Sequence, residues 1–227
     1  MKNLPHILTL FNLLSGCLGI TFLFQGYISL GSLMILAGAA FDFLDGFTAR
    51  ILNAKSELGK QLDSLADLVT FGVLPALILY TLAANLNNSW ISYLPLMIAI
   101  AAAIRLAKFN IDDRQTNYFI GLPTPAVALL VASIPFVMDE EHISGQFNIY
   151  SITGLSIFLS VMMLSPVKLI AFKFSHYNWK ENEPKYILIL LFLVLVFYLS
   201  FLSIPLIFLL YLIFSIFSKY PKPIKKG

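Results

Sequence analysis

Apolar runs of roughly twenty residues, separated by short polar connections, follow one another from Pro5 to Phe217. About twenty apolar residues are needed to carry a helix across the hydrocarbon of a bilayer. The runs therefore predict an all-α, polytopic membrane bundle with about eight spans. Their limits are roughly 5–25, 30–52, 60–83, 91–110, 123–138, 149–173, 185–201 and 203–219. The last two come from one continuous run, turned at Ser200, Ser203 and Pro205; a single tilted helix is the competing reading. Charged residues are 12% of the chain, against about 25% in a soluble domain, and no polar stretch is long enough for a water-facing second domain. Lys2, an apolar run and "LLSGC" resemble a lipoprotein signal ending at Cys17, but apolar sequence continues through Phe24, as expected of a first span. With one cysteine, neither an internal disulfide nor a cysteine metal cluster can form.

The basic residues orient the bundle. Lys2 precedes the first span. Arg50, Lys55 and Lys60 lie about the second connection, and Arg105, Lys108 and Arg114 about the fourth. Lys168, Lys173, Lys180 and Lys185 lie about the sixth, and Lys219, Lys222, Lys225 and Lys226 close the chain. Together these are all 15 Lys and Arg residues. Positive residues stay on the cytoplasmic side, so both termini and residues 41–68 are expected there. The rule needs an even number of crossings between Lys185 and Lys219, which favours the hairpin. Topology and headgroup contact account for these charges, so the bilayer is an expected partner and a nucleic-acid polymer is not. The tail "SKYPKPIKKG" reads as a basic segment against anionic headgroups.

Residues 41–68, "FDFLDGFTARILNAKSELGKQLDSLADL", carry four aspartates in this apolar setting. Asp42, Asp45, Gly46 and Ala49 share one helix face, as do Gly59, Asp63 and Asp67. "LNAKSE" supplies a turn, so the two helices run antiparallel and their acidic faces meet. Asp42 lies about 12 Å along its helix from Arg50, sunk into the membrane but open to the cytosol. One charged residue at the centre of a spanning helix costs about 2.5–3.5 kcal/mol, and like charges add repulsion. Either some carboxylates stay protonated or divalent cations neutralise them. An all-oxygen set favours Mg²⁺, Mn²⁺ or Ca²⁺, and two ions would balance four charges. His6 is the one histidine within reach of the segment. Gly46, Ala49 and Gly59 leave the acidic faces bare, either for a flat ligand or for close helix packing. Arg50 can meet a phosphate or snorkel to the surface.

The pattern D-x2-D-G-x2-A-R-x8-G-x3-D-x3-D, complete here, resembles the signature of the CDP-alcohol phosphatidyltransferase family. The resemblance implies a six-helix core over residues 1–180, with a hairpin at 181–219 and a basic tail at 220–227 added. It implies that Asp42, Asp45, Asp63 and Asp67 hold two divalent ions, Mg²⁺ or Mn²⁺, on the diphosphate of a CDP-linked lipid. Asp67 is then also the base toward the acceptor hydroxyl. Gly46, Ala49, Arg50 and Gly59 line the nucleotide site, and the protein is a homodimer. "LDSLADLVTFGVLPA", "RLAKFN" (105–110), "FIGLPTPAVA" (119–128) and "LPHILTLFNLLSG" (4–16) are similar to the members that use CDP-diacylglycerol and L-serine, although His6 and Phe47 depart from that pattern. A serine carboxylate needs a cation; Arg105 and Lys108 can supply it and Asn110 can add a hydrogen bond, or the two cations only mark topology. "GLPTP" caps the site or simply starts the fifth span. Thr9, Asn12 and Gly16 share a face of the first span, where interhelical hydrogen bonding and nucleotide contact are both open. Other acceptors (an inositol derivative, glycerol phosphate, choline) are the nearer alternative. A cation transporter is the distant one, since the acidic residues do not continue to the far face.

The charge split makes a testable statement about topology. A cysteine placed at Asn88 reacts with an impermeant thiol reagent from the non-cytoplasmic side only; labelling from the cytoplasmic side contradicts the assignment.

Overall fold

In the computed structural model, residues 3–54, 56–111, 118–140, 144–170 and 197–217 are described, with 191 and 195. Helices α1 (Leu4–Phe24) and α2 (Ile28–Ile51) form an antiparallel pair. Helix α3 (Glu57–Asp67) runs through a π-helical segment (Leu68–Val73) into α4 (Leu74–Leu86). A 3₁₀ turn (Trp90–Leu96) leads into α5 (Met97–Ile111). Then come β1 (Tyr118–Ile120), α6 (Thr124–Met138), α7 (Ile149–Leu164), β2 (Lys168–Ile170) and α8 (Ser203–Phe217).

Among the described residues, five helical stretches are long and apolar enough to cross a membrane: Leu4–Phe24, Ile28–Ile51, Glu57–Leu86, Trp90–Ile111 and Phe197–Ser215. Helices α6 and α7 are apolar but shorter. The bundle is helical as expected, but the count of eight is not reproduced among the described residues: α6 and α7 are shorter than a full span, and ten of the seventeen residues of the span expected at 185–201 lie outside them. So do Lys55, Arg114, Lys173, Lys180, Lys185 and the tail. At Ser200 the backbone turns left-handed, with φ of 46°, and a 3₁₀ turn (Ser200–Leu202) precedes α8, so the apolar run is broken where the serines stand.

One expected boundary is wrong. The helix predicted over 149–173 ends at Leu164. Pro166 has no N–H and disfavours helical backbone in the residue before it, and Ser165 is extended. Beyond it β2 pairs antiparallel with β1, Phe119 opposite Leu169. This two-stranded ladder is the one departure from an all-helical chain among the described residues.

Local chemistry sets the elements around the acidic segment. Helix α2 ends in a Schellman motif: Asn53 is left-handed at φ 48°, and Ala54 N donates to Ala49 O at 3.0 Å. Ser56 caps α3, its hydroxyl accepting from Gly59 N at 3.0 Å. The π segment follows from Pro75. In a regular helix its ring would crowd the carbonyl of Phe71; the wider i+5 bond from Leu74 N to Val69 O relieves this. The core lies around α4, where Leu74, Ile78 and Leu79 are buried with Phe71, Ile98 and Ile152. Helices α1 and α2 approach at Gly19 and Gly31, where a Cβ on Gly31 would stand 3.0 Å from the Gly19 carbonyl oxygen.

Candidate active site

The turn between α2 and α3 brings their acidic faces together. Asp42, Asp63 and Asp67 each place a carboxylate oxygen within 4.8 Å of the others. Asp45, one turn along α2 from Asp42, is not in that group. Its Oδ2 accepts from Thr9 Oγ1 at 2.6 Å, and Asp67 Oδ1 accepts from Asn12 Nδ2 at 3.0 Å. Thr9 Oγ1 also lies 3.0 Å from Pro5 O. It has one proton, and the short contact has the length of a charge-assisted bond. Asp63 Oδ1 is buried without a hydrogen-bond partner among the described residues. An all-carboxylate set with an orphaned oxygen fits a hard divalent cation such as Mg²⁺ or Mn²⁺ better than a softer metal. His6 stands apart from the set, its Nε2 3.0 Å from Ser56 Oγ.

The small residues of the motif divide into two kinds. A Cβ on Gly46 would meet nothing within 4 Å, so that face of α2 is open. A Cβ on Gly59 would stand 3.0 Å from His6 Nε2, so Gly59 lets α3 approach α1. Ala49 is half-buried on the Gly46 face. Arg50 is exposed and folds back along its helix, Nε donating to Gly46 O at 2.9 Å.

Asp63 and Asp67 also border a cavity of about 1050 Å³ between α3, α5, α6 and α8. Lys60, Ser64, Arg105 and Asn110 are among its polar lining residues, with Thr124, Ser200, Ser203 and Tyr211, and the remainder is apolar. Arg105 is buried, which a residue that only marked topology would not be. Its Nη1 donates to Ile120 O at 2.7 Å and Met163 O at 3.2 Å, joining β1 to the end of α7. Gly121 permits this at φ +71°, where a Cβ would stand 3.0 Å from that nitrogen. Asn110 Nδ2 donates to Ser64 Oγ at 2.8 Å, and its carbonyl accepts from Lys60 Nζ at 2.7 Å. Lys108 is exposed and does not border the cavity. Pro123 and Pro125 of "GLPTP" do border it, and α6 starts between them at Thr124.

The expectations from sequence missed Lys60 and the wall formed by α8. Ile204, Ile207, Phe208 and Tyr211 face the cavity. Tyr211 OH donates to Ile170 O at 3.0 Å, and Ser215 Oγ accepts from Ile170 N at 3.1 Å. Tyr211 and Ser215 are polar residues at i and i+4 in an apolar helix. That spacing was the available signal that this face is turned to protein.

Residues 2–165 match the family model described as CDP-alcohol phosphatidyltransferase. The chain is 38% identical over 140 residues to the CDP-diacylglycerol–serine O-phosphatidyltransferase of Bacillus subtilis, covering 61% of this chain and 78% of that protein. It is 33% identical over 196 residues to the protein of the same name from Helicobacter pylori strain J99, covering 85% and 81%. It is 30% identical over 167 residues to the archaetidylserine synthase of Methanothermobacter thermautotrophicus, covering 73% and 68%.

The open and packed faces of α2 differ in a way that thermal unfolding resolves. Alanine is favoured over glycine inside a helix by about 1 kcal/mol, so Gly46→Ala holds or slightly raises Tm. At Gly38 a Cβ would collide with Thr70 Cγ2 and stand 3.0 Å from Asn12 Oδ1. Overpacking there lowers stability by about 1–3 kcal/mol. Equal losses at both sites would show the Gly46 face to be packed.

Proposed function

The chain belongs to the CDP-alcohol phosphatidyltransferase family, and we propose that it transfers the phosphatidyl group of CDP-diacylglycerol to the hydroxyl of L-serine, yielding phosphatidylserine and CMP. The observation that carries this reading is a cavity bordered both by Asp63 and Asp67 of the carboxylate cluster and by the buried Arg105. The relatives' names support the acceptor: they differ in the lipid and agree on serine.

Asp42, Asp45, Asp63 and Asp67 would hold Mg²⁺ or Mn²⁺, with Ca²⁺ also chemically admissible. When bound, divalent ions neutralise the diphosphate and stabilise the departing CMP. The Gly46 face, with Ala49 and Arg50, receives the nucleotide beside the metals; Gly59 contributes by bringing α3 close to α1. Serine enters the cavity, and the Nε and Nη2 donors of Arg105, not used in its two carbonyl bonds, take the serine carboxylate. Asn110 holds Ser64 and Lys60 at the border of the same cavity. The serine oxygen attacks the phosphorus that bears diacylglycerol, the bond from that phosphorus to the CMP oxygen breaks, and the hydroxyl proton passes to Asp67. Positioning and charge stabilisation supply the rate. The apolar remainder of the cavity keeps bulk water from competing with serine. The split of basic residues supports a cytoplasmic site and cytoplasmic termini, and the family likeness supports a homodimer.

The test is CMP release from CDP-diacylglycerol in detergent with Mn²⁺ across a panel of alcohols. Serine is the best acceptor. Serinol and ethanolamine lack the carboxylate and react roughly ten- to a hundred-fold less well, the worth of a charge-assisted hydrogen bond of about 1.5–3 kcal/mol. EDTA abolishes turnover. A faster reaction with another alcohol overturns serine as the acceptor, and full activity in EDTA overturns the metal assignment.

A further inference from the structure

Thr9 and Asn12 lie one turn apart on one face of α1, and both are buried. They reach different helices: Thr9 donates to Asp45 on α2, and Asn12 donates to Asp67 on α3. Helix α1 is thus the only described element that hydrogen-bonds to both acidic helices through their carboxylates. The orientation of the Asn12 amide follows from its partner. With its oxygen toward an ionised Asp67, two acceptors would face each other at 3.0 Å, so the nitrogen points there. The price is a buried Asn12 Oδ1 with no partner among the described residues. A fold that keeps an orphaned acceptor beside a carboxylate keeps the amide for its donor.

The surroundings fix Asn12 in place. Thr70 Oγ1, in the π segment, donates to the Asn12 carbonyl at 2.9 Å. A Cβ on Gly16 would stand 2.5 Å from Thr70 Oγ1, and one on Gly38 would stand 3.0 Å from Asn12 Oδ1. Glycine at both positions leaves room for the Thr70–Asn12–Asp67 series. Asn12 is wholly buried, and the single Thr9 proton is committed to Asp45. Thr9 retains no donor for a nucleotide, and Asn12 retains one buried amide N–H.

We propose that α1 is the positioning element of the carboxylate cluster, and that Thr9 and Asn12 determine which oxygens of Asp45 and Asp67 remain for a divalent cation. The proposal rests on the metal reading of that cluster. Hydrogen bonds that orient ligating groups are worth roughly ten- to a hundred-fold in metal affinity. Thr9→Val keeps the shape of the side chain and removes the hydroxyl; Thr9→Ser restores it.

The experiment is Mn²⁺ titration of the purified full-length protein in detergent, with free Mn²⁺ read by electron paramagnetic resonance. Thr9→Val and Asn12→Leu weaken Mn²⁺ binding by roughly ten- to a hundred-fold, and Thr9→Ser stays near wild type. Turnover lost by Thr9→Val at low Mn²⁺ returns at high Mn²⁺, with KM for the CDP-lipid unchanged once Mn²⁺ saturates. If Thr9→Val does not fold, the smaller Thr9→Ala answers the same question. Wild-type Mn²⁺ affinity in these folded variants overturns the proposal and leaves the metal assignment standing, as does a raised lipid KM with unaltered Mn²⁺ binding. A wild-type protein that takes up no Mn²⁺ overturns both.

Discussion

Four carboxylates at membrane depth must be compensated, and much of this fold follows from how that is done. Each charged residue near a helix centre costs about 2.5–3.5 kcal/mol, and like charges at close range add to it. Hydrogen bonds from α1 reach two of the four groups, Asp45 and Asp67. Asp63 keeps a buried oxygen with no partner among the described residues, and a divalent cation is the compensation proposed for it. The close approach of α1 to its neighbours, the glycines at 16, 38 and 59, and the π segment that presents Thr70 all serve the same small region.

The α2–α3 hairpin was legible from sequence because its determinants are local. Spacing by threes and fours assigns faces to the aspartates, and Ser56 is a helix cap by residue type. The kind of each glycine was not legible. Gly46 faces open space and Gly59 faces His6, and that difference belongs to the neighbouring helix. Thr9 and Asn12 were seen to share a face, but their partners lie 36 and 55 residues away. The strand pair was missed because three-residue strands at 118–120 and 168–170 carry too little periodicity to register. Arg105 was read as a cation for substrate or a topology marker. Its bonds to two carbonyls, which join β1 to α7, depend on tertiary approach that no spacing reveals.

The cavity draws on more of the chain than the family model covers. That match ends at residue 165, whereas Ile204, Ile207, Phe208 and Tyr211 of α8 form one wall. Helix α8 is tied in by Tyr211 and Ser215, which satisfy the outward carbonyl and N–H of Ile170. The same strand pair ends at Ile120, whose carbonyl Arg105 holds. A helix outside the matched region therefore supports the Arg105 border of the cavity through the β1–β2 ladder. This continuity ties the C-terminal part of the chain to the chemistry proposed at Asp67.

The central claim is that the carboxylates of α2 and α3 hold divalent cations where the CDP-lipid reacts. Anomalous scattering from Mn²⁺ in crystals of the protein tests it most directly. The account predicts a Mn²⁺ peak bounded by Asp42, Asp63 and Asp67. Absence of a peak there, at a Mn²⁺ concentration that supports CMP release, would contradict it.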